Sequence, residues 1–217
     1  MESLINGYFY FRAKFFESLE QKHVEKRFYS HAEFARLDQQ LLGLYEKKSP
    51  YQMSKEYLIE QEADDVYTYG ETPLTTMDRI VKECQITKED RCIEMGAGRG
   101  RAALFLSEVV GCSVKAYELI PSFVKTFQKL SFSDGLEMIE SDFFQADYSW
   151  PTVVFLYGTM LKTEEIKELA KKLCRKTKII SVSYSLEEYA TGFVTKKAFP
   201  GHFPWGKTTI YWSEKHE

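Results

Sequence analysis

A chain of 217 residues, 44% hydrophobic and 28% charged, is long enough for a sizeable core and too apolar to be disordered. Its net charge of -3 excludes the overall basic surplus of a dedicated nucleic-acid binder, though not a local basic patch. No apolar run approaches the ~20 residues of a membrane span. The N-terminus has no signal-peptide pattern, and Cys84, Cys92, Cys112 and Cys174 form no CxxC pair. A cytoplasmic protein with reduced thiols and no metal site is the expectation.

In chain order, residues 3 to about 60 read as helical. Leu4, Tyr8, Phe11, Phe15 and Leu19 recur every three or four residues, as one apolar helix face requires. A second helix runs through 30–48, with Ser30 and Glu33 as its capping box and Ser49-Pro50 as its end. Residues 53–67 hold another short helix. Thr72-Pro73 then supplies N-cap and first-turn chemistry for a helix through Met77, Ile80 and Val81.

From residue 91 short apolar runs alternate with amphipathic ones. RCIEM, SVKAYEL, LEMIESD, PTVVFLY and TKIISVSYSL read as strands; GRAALFLSEVV, PSFVKTFQKL and KTEEIKELAKKLCR read as helices. Two late strands, GFVTKKAF and KTTIYWS, flank PGHFPWG, whose Pro and Gly content predicts a hairpin loop. The alternation predicts an α/β fold, a doubly wound and mostly parallel sheet of seven strands closed by an antiparallel hairpin. Residues 1–65 read as a helical N-terminal extension, expected to be a lid, a substrate platform or a dimer contact, and residues 66–217 read as the α/β domain. The run KKLCRKTK at 171–178 reads as a helix C-terminus.

The first strand ends in EMGAGRG. Glu94 closes an apolar run, and Gly96, Gly98 and Gly100 follow at alternate positions. In an open parallel sheet ligands bind outside the carboxyl ends of the strands, where glycines let them approach the backbone and a helix N-terminus offers free N–H groups. Dinucleotide sites prefer G-x-G-x-x-G, and a carboxylate repels a pyrophosphate. The same carboxylate suits S-adenosylmethionine, which carries an ammonium and a sulfonium. Glu118 closes the second strand, where it can take both ribose hydroxyls; Asp142 closes the third, where it can accept from an adenine amino group, with Phe143 to cover the ring.

The stretches IEMGAGRGR, AYELIPSFV and ESDFFQAD resemble the motifs of the class I, seven-strand S-adenosylmethionine-dependent methyltransferases, over roughly residues 66–217. YTYGETP ahead of them is similar to the non-SET protein-lysine methyltransferases, in which a Tyr-Gly-Glu-Thr stretch folds over the cofactor. The resemblance implies cofactor contacts at Tyr69, Thr72, Glu94, Met95, Gly96, Ala97, Gly98, Gly100, Glu118, Leu119, Asp142, Phe143 and Tyr157. It also implies a protein-lysine acceptor. A lysine nucleophile must arrive neutral, and Tyr67, Tyr69, Tyr157 and Trp205 are the aromatic residues available for a dry pocket that lowers its pKa. Tyr69 and Tyr157 are the catalytic candidates; no general base stands out, His202 included.

LYGTML occupies the place after the fourth strand where Asn-Pro-Pro-Tyr would mark methylation of an amino group on adenine, cytosine or glutamine. The alternatives are a methyltransferase acting on a small molecule or RNA, and a non-catalytic binding module on the same fold. A nicotinamide oxidoreductase stands behind these.

Overall fold

Five parallel strands form the body of the sheet: β1 (Arg91–Met95), β2 (Ser113–Glu118), β3 (Leu136–Glu140), β4 (Val153–Leu156) and β5 (Lys178–Val182). A hairpin of β6 (Phe193–Phe203) and β7 (Gly206–Lys215) adds to it through β7, antiparallel to β5. The full order is β3-β2-β1-β4-β5-β7-β6. The computed structural model describes residues 2–132, 134–157 and 161–216, and side chains from residue 12 onward. Of the predicted Leu4, Tyr8, Phe11, Phe15 and Leu19 face, the first three lie outside the described side chains, as do Gly158, Thr159 and Met160 of LYGTML, while Phe15 and Leu19 are exposed rather than packed on the domain.

The helices are α1 (Glu2–Phe28), α2 (Ala32–Leu44), α3 (Pro50–Glu60), α4 (Leu74–Glu83), α5 (Arg101–Phe105), α6 (Pro121–Phe127) and α7 (Thr163–Lys172). They cover both faces of the sheet, as a doubly wound fold requires. β4 and β5 are buried on both faces, which explains their unbroken apolar runs VVFL and IISV. One face packs Phe34 and Leu37 of α2, Met77 and Ile80 of α4, Phe105 of α5 and Phe123 and Phe127 of α6. The other packs Ile166 and Leu169 of α7 on Ile93, Val154 and Ile179. Phe34, Phe105, Phe123 and Phe127 are fully buried, each contributing about 1.5–3 kcal/mol by leaving water.

The helix ends differ from the sequence expectation in three places. α2 has His31 at its N-cap with no side-chain bond, while Glu33 pairs with Arg36 rather than reaching back to Ser30. Ser49-Pro50 opens α3 rather than only closing what precedes it: the Ser49 hydroxyl accepts from Gln52 N at 3.2 Å and Gln52 Oε1 accepts from Ser49 N at 3.1 Å. At α4 the N-cap is Pro73, and the cap comes from far along the chain. Glu20 of α1 accepts the Thr75 amide at 2.9 Å and the Thr75 hydroxyl at 2.7 Å. A carboxylate at a helix N-terminus is favoured by the exposed N–H groups and the dipole.

Two further stretches depart from regularity. GRAALFLSEVV is α only to Phe105; Leu106–Val110 forms a π turn that closes on Gly111 at φ 87°. PGHFPWG is mostly strand, since β6 and β7 pair as far as Phe203 and Gly206, leaving Pro204-Trp205 as a two-residue turn. All four cysteines are free thiols, with Cys174 exposed and the other three buried. Among the described residues no helix is long and apolar enough to cross a membrane.

Candidate functional site

The carboxyl ends of β1 to β4 meet where the strand order reverses between β1 and β4. Register places Met95 opposite both Tyr117 and Leu156, so the turn after β1 lies between the ends of β2 and β4. Gly96, Gly98 and Gly100 there have φ of 69°, 57° and 81°, a region costing other residues about 1–2 kcal/mol. Their surroundings differ. A Cβ at Gly98 would meet the Tyr69 ring at 3.0 Å, and one at Gly100 would meet Phe127 at 2.5 Å. A Cβ at Gly96 would meet nothing within 4 Å, so open ground lies above that residue.

Two carboxylates lie under this turn, in different states. Glu118 is buried, and both its oxygens are in use: Oε2 accepts from Gly98 N at 2.6 Å and Oε1 from Ile120 N at 2.8 Å. Burial raises its pKa, and these backbone N–H groups oppose the rise. Glu94 is buried with Oε2 unpartnered. Burial first, and then the Glu118 charge, push its pKa up to about 8. A buried carboxyl with an orphaned oxygen beside open ground above Gly96 is a place for a cation, and a ligand ammonium satisfies that group.

Tyr69, Gly70, Glu71 and Thr72 cross over the turn. Arg99 grips Glu71 with two contacts, Nη2 to Oε2 at 2.7 Å and Nε to Oε1 at 2.6 Å, and the Tyr69 hydroxyl donates to the same carboxylate. Burial, with the Glu71 charge second, holds the Tyr69 hydroxyl well above its usual range. Tyr157, directly after β4, has its hydroxyl 3.0 Å from a Cβ placed on Gly70. Burial also raises the Tyr157 pKa. Gly70, Glu71, Thr72, Glu94, Gly96, Ala97 and Tyr157 line one small cavity; the Thr72 hydroxyl is buried and unpartnered beside it.

Behind that wall a second cavity of about 300 Å³ opens between α1, the start of α3, Arg99 and Arg101, sharing Glu71, Thr72 and Arg101 with the first. Arg101 leads α5 and ties it to the N-terminal helices. It donates to fully buried Asp38 of α2 at 2.7 and 2.8 Å and to Gln21 of α1 at 2.6 Å.

The structure thus brings Tyr69, Thr72, Glu94, Gly96, Ala97, Gly98, Glu118 and Tyr157 together. Leu119, Asp142 and Phe143 form a separate ledge at the ends of β2 and β3. Leu119 is 55% exposed there, Phe143 stacks on Phe144, and Asp142 spends one oxygen on Phe144 N at 2.9 Å. Met95 turns its side chain to the opposite core face, towards Tyr148, so its backbone alone can meet a ligand. Gly100 serves the close packing of α5 on α6. Tyr67 is 75% exposed under Lys55, while Tyr69 packs on Tyr51 and Phe123 and Tyr157 packs on Phe203 and Trp205, so the four expected aromatics do not form one pocket. Sequence reasoning passed over the Arg101–Asp38 tie. Its one signal was an aspartate beside Leu37 on the apolar face of α2.

The family model described as ribosomal RNA adenine dimethylase matches residues 71–186, more than half of the chain. No curated protein matches the chain significantly. Among solved structures it is similar to an RNA methyltransferase from Salinibacter ruber in complex with S-adenosyl-L-homocysteine, at 24% identity and TM-score 0.56, over 68% of this chain and 95% of that one. It is similar to MtNAS in complex with S-adenosylmethionine, at 16% identity and TM-score 0.58, over 88% and 76%. It is also similar to TrmN from Thermus thermophilus, at 13% identity and TM-score 0.53, over 64% and 48%. At these identities the structures speak for the fold. With the orphaned acid, the glycine turn and the sheet order in place, the family match decides the matter: the chain belongs to the ribosomal RNA adenine dimethylase family and is a class I, S-adenosylmethionine-dependent methyltransferase.

Proposed function

We propose that this methyltransferase acts on a base in RNA. The observation that carries the reading is the family match, which runs from Glu71 through the glycine turn, the β2 and β3 ends and Tyr157 to Leu186. It favours RNA over the protein-lysine acceptor that YGET implied. It also outweighs the net charge, since a total of -3 says nothing about charge at the mouth of one cleft.

The residues at the strand ends divide the work. Glu94 meets the ammonium of S-adenosylmethionine, and Gly96 and Ala97 leave the backbone open to it. Glu118 takes the ribose through the lone pairs that Gly98 N and Ile120 N do not use. Asp142 takes the adenine edge, while Leu119 and Phe143 cover its faces. Tyr69 and Thr72 close over the methionine end, with Glu71 and Arg99 holding their loop. When bound, S-adenosylmethionine supplies a methyl on a sulfonium, open to in-line displacement. The acceptor nitrogen contributes its lone pair, the carbon–sulfur electrons stay on sulfur, and the nitrogen's proton passes to solvent. Alignment of nucleophile and methyl is the protein's main contribution, about 7–11 kcal/mol at best. Tyr157 lines the Glu94 cavity, which supports a role for it in aligning the acceptor.

A protein lysine is the second reading, favoured by one observation. LYGTML follows β4 where the amino-group motif would bring Asn-Pro-Pro-Tyr, so the amide acceptor of an exocyclic amino group is missing. Incubation with methyl-labelled S-adenosylmethionine and separate RNA and protein fractions tests both. Label recovered as a methylated nucleoside supports the RNA reading. Label recovered only as methyl-lysine refutes it and supports the second.

A further inference from the structure

The tip of the β6–β7 hairpin extends a largely buried aromatic pair outward to an exposed ring. Trp205, in the two-residue turn, is 47% exposed. Its ring nevertheless stacks on Phe203, with centroids 4.6 Å apart and planes 22° from parallel, and leans on Tyr157 at 5.7 Å. Tyr157 in turn stacks on Phe203 at 5.7 Å and 20°. Since Tyr157 lines the Glu94 cavity, three rings run from the cofactor site to solvent and end in an open indole face.

The hairpin is held in place rather than left free. Thr76 of α4 donates its hydroxyl to the His202 carbonyl at 2.7 Å and accepts from His202 N at 3.3 Å. On the other side Arg12 of α1 donates to the Trp205 carbonyl at 2.6 Å. Arg12 is exposed and that bond uses one of its five donors, so the guanidinium retains donors beside the turn.

A planar open face beside a cation selects among acceptors. Aromatic side chains hold unpaired bases by stacking, and an adjacent arginine holds phosphate. An alkylammonium would face repulsion from Arg12. We propose that Trp205, backed by Phe203 and Tyr157 and flanked by Arg12, is the platform on which an unpaired RNA nucleotide stacks at the mouth of the cofactor site. This rests on the RNA reading above and adds that the substrate is single-stranded or flipped out where it meets the enzyme.

The test is a binding titration of the full chain with a fluorescent oligoadenylate about twelve nucleotides long and with a duplex of the same length, a length within the usual single-strand site range. Single strand should bind more tightly than duplex. Trp205→Ala should weaken single-strand binding about tenfold, and Trp205→Phe should restore most of it. Arg12→Ala should lower the salt dependence by about one phosphate contact. Affinity for S-adenosylmethionine, measured alongside, reports that each variant is folded. If the native protein binds oligoadenylate and Trp205→Ala binds it equally well, the platform is refuted while the RNA reading stands. If the native protein binds neither RNA and methylates only protein, the RNA reading fails and the platform falls with it.

Discussion

Glu118 accepts the amide of Gly98 at 2.6 Å, so the carboxylate expected to hold the ribose also holds the glycine turn in shape. The acid is thus part of the cradle before any ligand arrives. Its burial is offset by backbone N–H groups, which explains how a carboxylate sits among apolar strands so close to Glu94.

Glu118→Ala should therefore cost stability as well as affinity. Leaving the Gly98 and Ile120 amides without their acceptor should lower the unfolding free energy by about 1–3 kcal/mol. Urea unfolding without ligand reads this directly. A variant as stable as the parent would mean that Glu118 does not hold the turn.

Glu94 should make cofactor binding pH-dependent. Its pKa of about 8 lies above that of an unfolded glutamate, so the folded protein holds a proton that the unfolded chain has lost between roughly pH 4.5 and 8. Stability conferred by this group is present at low pH and falls as pH rises through that window. An ammonium ligand favours the ionised form, so affinity should climb from pH 6 to pH 8 and then level. Calorimetry in buffers of different ionisation enthalpy should show a proton released on binding near pH 7. Glu94→Gln should abolish both the release and the slope.

Gly96 and Gly100 share a left-handed backbone but not their surroundings. Gly96→Ala should cost about 1–2 kcal/mol from backbone strain alone. Gly100→Ala adds a collision with Phe127, for which overpacking costs about 1–3 kcal/mol more. Thermal unfolding of the two variants ranks them, and equal losses would contradict the packing described for α5 and α6.

The N-terminal helices should be needed for cofactor binding, because Arg101 at the head of α5 is tied to buried Asp38 and to Gln21. Asp38→Ala strands a largely buried guanidinium, and breaking such pairs costs about 3–5 kcal/mol. Replacing Arg101 and Asp38 together by Leu should recover stability. It should not recover S-adenosylmethionine affinity if the tie positions the helix that abuts the glycine turn. Recovery of both would mean a purely structural pair.

The strand and helix order was legible from residue 91 onward, because short β-branched runs such as VVFL and IISV alternate with amphipathic helical ones, and the glycine spacing with Glu94 pointed to the cofactor. Helix ends were less legible. The α4 cap comes from Glu20, fifty-five residues away, and no local rule finds it. PGHFPWG read as a loop because Pro and Gly mark turns, yet an edge strand tolerates Pro200, and Gly201 fits where a Cβ would strike Ile210. The acceptor was least legible, since the residues that would meet it come from α1, the β6–β7 turn and the end of β4, which only the fold brings together.

The most direct test of the account is calorimetric titration of the protein and of Glu94→Gln and Glu118→Ala with S-adenosylmethionine. The account predicts saturable binding to the native protein, weakened at least about tenfold by either substitution, which is the loss of about 1.4 kcal/mol. Binding unchanged in both variants would place the cofactor elsewhere and contradict it.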